Sequence, residues 1–142
     1  MRDAIKEAIH AGKNDEVPVG AVLVCDGTIV ARSGNITILN SDPTAHAEIN
    51  VIRARCGDLG VQRLPDHDLY VTLEPCPMCA SAISNARIRR VYFGAYDPKS
   101  GGVEHGPQIY THDSCHHKPD VVGGVMEQEC ASLLTDFFKT RR

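Results

Sequence analysis

Two cysteines three residues apart, Cys76 and Cys79, follow a short apolar run at residues 68–72. The run is rich in β-branched and aromatic residues and predicts a strand. Pro77 predicts a helix beginning between the cysteines, because proline is favoured at the first helical position. Both thiols then lie on the first helical turn, where the helix dipole favours thiolate. Such a pair can be a redox dithiol, or it can supply two ligands of a structural or a catalytic metal site.

A histidine and a glutamate upstream narrow this choice. Asp42 is a helix start signal, and the apolar spacing after it predicts an amphipathic helix that ends at Gly57. His46 then lies in the first helical turn, with Glu48 two residues on. One imidazole and two thiolates give zinc three protein ligands, the number that leaves a coordination position for water in catalytic sites. Glu48 need not bind the metal and can move protons beside it. The predicted inward face of this helix is Ala45, Ile49, Ile52 and Cys56.

Composition restricts the class of protein. The 142 residues fit one domain, residues 1–142, large enough for its own core. The net charge of −3 and the pI near 6.1 give no global attraction to nucleic acid, so any RNA contact needs a local patch such as Arg87, Arg89 and Arg90. No apolar run approaches the roughly 20 residues of a membrane span. The six cysteines without a signal-peptide core predict reduced thiols and a cytoplasmic location.

The predicted element order is helix, hairpin, helix, strand, helix, strand, long loop, strand, helix. An Asp26-Gly27 pair between two β-branched runs predicts the hairpin. Strand–helix–strand units after a hairpin predict an α/β fold with a mixed sheet and helices on both faces. Residues 96–119 lack a sustained period and predict a long loop, which either has a function or is disordered. The predicted bounds are 2–11, 19–25, 28–32, 42–57, 69–72, 78–86, 90–95, 121–125 and 126–140, and the last helix is expected to bury Cys130, Leu133, Leu134, Phe137 and Phe138.

The His-x-Glu and Pro-Cys-x-x-Cys motifs together resemble the signature of the zinc-dependent nucleobase deaminases. Further stretches are similar to one branch of that superfamily, the bacterial tRNA-specific adenosine deaminases. The similar stretches are 17–22, 34–35, 42–48, 69–79, 87–91, 93–95, 97–101 and 137–142.

The resemblance implies a cytidine deaminase-like three-layer fold with a five-stranded sheet, one zinc ion per subunit and a homodimer. It implies hydrolytic conversion of adenosine to inosine at the wobble position, with the tRNA anticodon stem-loop as partner. Carried over by position, the zinc ligands are His46, Cys76 and Cys79, and Glu48 is the proton shuttle. Residues implied to contact the RNA are Asn35, Asp97, Lys99 and His112. The backbone N–H of Ala47 is also expected to donate to charge that develops on the substrate.

Three alternatives stay open at this point. A redox dithiol would use Cys76 and Cys79 alone and leave His46 without a purpose. An RNA-binding module with a closed structural zinc would need a fourth ligand, which the segment 115–117 contains as Cys115, His116 and His117. A deaminase of free bases or nucleotides (guanine, cytosine or cytidylate) would share every zinc residue and differ only in its pocket and loops.

Overall fold

The protein is described here by a computed structural model that covers residues 1–141. Arg142, the last residue of the similar C-terminal stretch, lies outside the described residues. The elements are α1 (Arg2–Lys13), β1 (Gly20–Cys25), β2 (Thr28–Gly34), α2 (Ala47–Leu59), β3 (His67–Leu73), α3 (Pro77–Asn85), β4 (Arg90–Ala95), β5 (Asp120–Val122) and α4 (Glu127–Lys139). The predicted order of elements is confirmed. A single 3₁₀ turn, Ile109–Thr111, interrupts the long loop.

The five strands form one mixed sheet in the order β2-β1-β3-β4-β5. Strand β1 is antiparallel to both β2 and β3, and β3, β4 and β5 are parallel. Strands β2, β3 and β4 therefore run in the same direction and end at one edge of the sheet. Asn35 directly follows β2, Glu74 directly follows β3, and Asp97 lies two residues after the end of β4. In α/β sheets, binding sites form outside the carboxyl ends of strands, so the topology brings these three residues to one place.

Helices cover both faces of the sheet, as predicted. Helices α1 and α4 contact each other, and α2 and α3 contact each other. Glycines bring α1 and α4 close to the strands: a Cβ on Gly20 would lie 2.0 Å from the Ala4 carbonyl oxygen, and one on Gly94 would lie 2.3 Å from Cys130 Sγ. The opposite face of the sheet packs large apolar side chains against α2 and α3. Its fully buried members include Leu23, Leu69, Val71, Val91 and Phe93.

Helix α2 differs from its prediction at both ends. It begins at Ala47 because Asp42 caps a turn instead: its Oδ1 accepts hydrogen bonds from the N–H and the hydroxyl of Thr44 at 2.8 and 2.7 Å. It ends at Leu59 rather than at Gly57, and Gly60, whose φ is 65°, forms a left-handed cap. The inward face is correspondingly shifted. Ala47, Glu48, Ile49 and Val51 are buried, whereas Ile52 and Cys56 are only partly buried.

Helix α4 buries less than predicted. Cys130 is its one buried residue within the described chain, and Phe138 is 47% exposed. The helix meets the sheet where Cys130 packs on Gly94, and its C-terminal half instead borders a surface depression. No helix within residues 1–141 is long and apolar enough to cross a membrane.

Candidate active site

The starts of α2 and α3 bring one imidazole and two thiols together. His46 is the N-cap residue of α2, Cys76 is the N-cap residue of α3, and Cys79 lies in the first turn of α3. His46 Nδ1 lies 3.6 Å from Cys76 Sγ and 3.5 Å from Cys79 Sγ. Tetrahedral zinc with Zn–N of about 2.0–2.1 Å and Zn–S of about 2.3 Å requires separations of about 3.5 Å between such atoms. The donor set and its spacing therefore fit zinc. Within residues 1–141 it is the one group of this kind.

The two thiols are electrostatically unequal. A hydrogen bond from the Cys79 thiol, opposed by partial burial and assisted by a hydrogen bond with His46, lowers the pKa of Cys76 to about 4. The same hydrogen bond and burial raise the pKa of Cys79. Cys76 is thus a thiolate at neutral pH before any metal binds, and thiolate is the form that binds metal. Binding of a cation would release the proton that Cys79 holds.

Glu48 lies in the first turn of α2, beside this group, and is only 3% exposed. Burial raises the pKa of Glu48 to about 7, because a carboxylate loses its hydration there. Its carboxyl group is not one of the clustered ligand atoms. A carboxyl group that gains and loses a proton near neutral pH suits a general acid and base.

A cleft of about 230 Å³ opens onto His46, Glu48 and Cys76. The remaining lining residues come from the strand ends and the loops beside them. They are Val17, Val19, Asn35, Thr37, Leu73, Glu74, Asp97 and Ser100. A second depression of about 570 Å³ adjoins the cleft and shares four of these residues with it, Val17, Leu73, Asp97 and Ser100. It is also bordered by Tyr96, Lys99, Leu134, Phe138 and Arg141.

Asn35, an expected substrate contact, lines the cleft, and its side chain also supports the metal site. Its Oδ1 accepts the N–H of Ala47 at 2.8 Å. This N–H is one of those that a helix start leaves without a partner in the helix. Asn35 therefore occupies the Ala47 N–H in this structure, and donation by Ala47 to the substrate stays a prediction.

Asp97 lines the cleft and Lys99 borders the adjoining second depression, whereas His112 borders neither. Asp97 Oδ1 accepts the N–H groups of Lys99 and Ser100 at 3.2 and 3.0 Å, which folds the rim into a tight turn. His112 borders a separate depression with Arg87, beside α3. The loop takes it there because Tyr110 is anchored on α3, with its hydroxyl donating to the Ala80 carbonyl at 2.9 Å.

The segment 115–117 supplies no fourth ligand. Cys115 Sγ lies 3.3 Å from Ser84 Oγ, and the His117 ring is hydrogen-bonded to the Ile88 carbonyl at 2.6 Å. Neither side chain, nor that of His116, belongs to the clustered ligand atoms. A closed site built from this segment is not supported.

Two buried glutamates were not anticipated from the sequence. Glu16, in the connection between α1 and β1, is 1% exposed and accepts the N–H groups of Ile38 and Leu39 at 2.8 and 2.9 Å. Glu74 directly follows β3 and is also buried. A carboxylate next to a buried strand indicates that hydrogen-bond donors must surround it. The sequence alone does not identify the residues that supply these donors.

Comparison with known proteins places the chain in a family. A family model described as the cytidine and deoxycytidylate deaminase zinc-binding region matches residues 1–95. The chain belongs to this deaminase family. Membership agrees with the zinc-compatible group at the α2 and α3 starts, and zinc is accordingly the cofactor.

Within the deaminase family, the chain groups with the tRNA-specific adenosine deaminases. It is 58% identical to the tRNA-specific adenosine deaminase of Agrobacterium fabrum (strain C58) over all of its own length and 93% of that protein. It is 46% identical to the Bacillus subtilis (strain 168) enzyme of the same name, over all of its own length and 88% of that protein. A solved structure from a study of A-to-I editing by tRNA:A34 deaminases at the wobble position superposes with a TM-score of 0.93 and 60% identity, covering 94% of this chain and 97% of that one.

Proposed function

We propose that the protein is a zinc-dependent hydrolase that converts adenosine to inosine at the wobble position of a tRNA anticodon. The observation that carries this proposal is the cluster of His46, Cys76 and Cys79 at 3.5–3.6 Å beside a buried carboxyl group that is not part of it. The 58% identity to a tRNA-specific adenosine deaminase supports this substrate over free bases or nucleotides.

His46, Cys76 and Cys79 would hold the metal, and Glu48 would move the protons. Zinc in such a site acts as a Lewis acid and lowers the pKa of water from roughly 16 toward about 7. Glu48 accepts a proton from the water that attacks C6 of the purine. It then delivers that proton to ring N1, and afterwards it moves the proton of the new C6 hydroxyl group to the amine, which departs as ammonia and leaves the C6 carbonyl of inosine. The pKa of Glu48 near 7 matches both halves of this transfer.

Asn35 is the residue of this chain best placed to orient the target nucleoside. Its Oδ1 is held by Ala47, which fixes the amide plane. Its Nδ2 has no hydrogen-bond acceptor within the described residues and belongs to the cleft wall, so it can donate to the nucleoside. The base must leave its stack to enter this cleft, which is easiest in an unpaired loop such as an anticodon.

The second depression suits the nucleotides beside the target. Tyr96 and Phe138 give it apolar and aromatic surface, and Lys99 gives it positive charge, whereas Arg141, which also borders it, donates to Asp15 at 2.8 Å. Proteins bind single-stranded RNA through this combination of stacking surface and cations. The arginines predicted as a phosphate patch are less suited, since Arg89 donates two hydrogen bonds to Asp68 and Arg90 lies 3.7 Å from Asp120.

We further propose that the anticodon stem-loop is the part of the tRNA that is bound, that the protein works as a homodimer, and that it acts in the cytoplasm. The proposals of the anticodon stem-loop and of the homodimer are based on the similarity to the tRNA-specific adenosine deaminases. A reducing compartment agrees with six cysteines that are all free thiols.

The test is to incubate the purified protein with total tRNA and read inosine at the wobble base, with Glu48→Ala as the inactive control. Ammonia release from guanine, cytosine and cytidylate is measured in parallel. Inosine in tRNA without ammonia from free bases supports the proposal. Ammonia from a free base alone would point to the free-base reaction, and no product from any substrate would point to an RNA-binding role.

A further inference from the structure

The carboxylate of Glu74 lies between the cysteine turn and the rim loop, and its side chain is completely buried. The rim loop is defined here as residues 97–105, which carry Asp97 and Lys99. We propose that Glu74 and His105 are positioning residues that hold this loop in register with the metal centre. The inference rests on the proposed function, because it assigns to the loop the task of meeting RNA.

Five donors from the rim loop converge on the Glu74 carboxylate. Oε1 accepts the N–H of Asp97 at 3.1 Å and Nδ1 of His105 at 2.8 Å. Oε2 accepts the N–H groups of Val103, Glu104 and His105 at 3.3, 2.9 and 3.1 Å. The carboxylate is therefore hydrogen-bonded to the first residue of the loop and to its last three residues.

The loop is also packed directly on the turn that carries Cys76. The N–H of Gly102 donates to the Pro75 carbonyl at 2.8 Å. A Cβ on Gly101 would lie 2.4 Å from Glu74 Oε2, and a Cβ on Gly102 would lie 2.5 Å from the Pro77 nitrogen. The two glycines let the loop backbone reach the turn without an intervening side chain. A shift of the loop therefore requires a shift of the turn or the loss of these contacts.

His105 closes this arrangement from the outer side. Its ring and its backbone N–H both reach Glu74, and the ring is partly exposed. Truncation at His105 removes one of the five bonds and leaves the four backbone donors in place. Exchange of Glu74 for glutamine is more severe, because an amide group offers one acceptor oxygen and turns its own N–H donors toward the donors of the loop.

The consequence for substrate binding runs through Asp97. Glu74 fixes the Asp97 backbone, and Asp97 Oδ1 in turn fixes the N–H groups of Lys99 and Ser100. The place from which Lys99 projects toward the second depression is therefore set by a carboxylate two residues before a zinc ligand. Loosening the loop should weaken RNA binding more than it slows the chemistry.

The kinetic test compares His105→Ala with His105→Asn, whose Nδ2 can replace the ring Nδ1, and with His10→Ala, an exposed histidine on α1. Each variant is assayed for inosine formation in an anticodon stem-loop and for zinc content. His105→Ala should raise KM roughly tenfold, the lower end of what the loss of one charge-assisted hydrogen bond gives, with kcat and zinc content unchanged. His105→Asn should restore KM, and His10→Ala should leave it unchanged. A KM for His105→Ala equal to that of the native protein would overturn the proposal.

A double-mutant cycle separates positioning from general destabilisation. Lys99→Ala should raise KM in the native background and raise it less in the His105→Ala background, because a loosened loop no longer holds Lys99 in place. Independent sites would give additive effects. Additive effects of Lys99→Ala and His105→Ala would therefore overturn the coupling proposed here.

Amide hydrogen exchange tests the same contacts without any substrate. The N–H groups of Val103 and Glu104 should exchange slowly in the native protein, faster in His105→Ala and fastest in Glu74→Gln. If Glu74→Gln does not fold, the exchange rates of these N–H groups in His105→Ala are compared with those in His10→Ala, and this comparison tests the proposal. Unchanged exchange in His105→Ala would overturn the role of its ring. If the native protein makes no inosine but its amides exchange as expected, the proposed function is wrong. The role of Glu74 in holding the rim loop would still stand.

Discussion

Asn35 Oδ1 accepts the backbone N–H of Ala47 at 2.8 Å, which joins the end of β2 to the start of α2. Because His46 immediately precedes Ala47, this bond also fixes the approach of the imidazole to the two thiols. One side chain therefore contributes to helix capping, to the geometry of the metal site and to the wall of the cleft. These contributions can be separated by substitution.

Asn35→Asp should keep the cap and lose activity, whereas Asn35→Ala should lose both. A carboxylate oxygen can accept the Ala47 N–H and is favoured near a helix N-terminus, but it has no N–H to offer the nucleoside. We expect Asn35→Ala to lower the free energy of unfolding by about 1 kcal/mol and Asn35→Asp to leave it nearly unchanged. Denaturant unfolding and inosine formation, measured on both variants, check this. Full activity in Asn35→Asp would remove the Asn35 amide N–H from the substrate contacts.

Glu48→Ala should retain about one zinc per chain and lose turnover. The carboxyl group is not among the clustered ligand atoms, so the metal should stay, whereas general acid–base groups contribute roughly 10²–10⁴-fold in rate. Metal analysis and single-turnover inosine formation on the same preparation provide the measurement. Native turnover in a zinc-loaded Glu48→Ala protein would refute the proton role of Glu48.

Cys76→Ser should behave in the opposite way, with loss of zinc as the first effect. Serine cannot supply the thiolate that the Cys79 and His46 hydrogen bonds stabilise at this position. The thermal midpoint should fall as well, because a metal that binds only the folded chain stabilises it. Cys25→Ser, at a cysteine away from the ligand group, is the matched control and should keep its zinc. Stoichiometric zinc in Cys76→Ser would exclude Cys76 from the ligand set.

Lys99→Ala should weaken binding of the stem-loop and reduce its dependence on salt. Each cation that meets a phosphate of single-stranded RNA contributes a slope of about 0.7 in a plot of log affinity against log salt concentration. Arg90→Ala is the control, since Arg90 pairs with Asp120 on the outer strand. Titrations at several salt concentrations measure the slopes. An unchanged slope in Lys99→Ala, or an equal reduction in Arg90→Ala, would argue against the second depression as the RNA-binding surface.

The elements that could be predicted from the sequence are those governed by neighbouring residues. Strand β4 has the predicted bounds. The hairpin forms at Asp26-Gly27, whose φ angles of 50° and 74° suit the turn that such a pair favours. The metal ligands were also predictable, since two motifs with restricted chemistry leave few other uses for His46.

The parts that could not be predicted depend on partners distant in the chain. The donors to Glu74 lie 23 to 31 residues away, and those to Glu16 lie 21 to 23 residues away. Neither glutamate carries a local sign of its partners. Asp42 misled the prediction of α2 because the same side chain caps a turn as readily as a helix. His112 was placed correctly in its loop, but the anchoring of Tyr110 on α3 decided on which side of that helix it lies.

A buried histidine outside the active site gives the protein a pH-dependent stability. His67 is 5% exposed and its Nε2 accepts the Arg55 Nε–H at 2.9 Å, while its Nδ1 has no partner within the described residues. Burial and the neighbouring Arg55 charge lower the pKa of His67. The unfolded chain therefore binds a proton at a higher pH than the folded chain does, which favours unfolding as the pH falls.

The free energy of unfolding should accordingly decrease as the pH falls below about 6.5, the value of an unperturbed histidine. The decrease should continue until the pH reaches the lowered pKa of folded His67, and this group should contribute no slope above about 7.5. His67→Gln cannot be protonated and should lose that part of the slope. The measurement is denaturant unfolding of both proteins across this range. The difference between their free energies of unfolding isolates His67, because His46 and the zinc ligands are common to both proteins. Parallel pH profiles for the two proteins would show that His67 is not the titrating group.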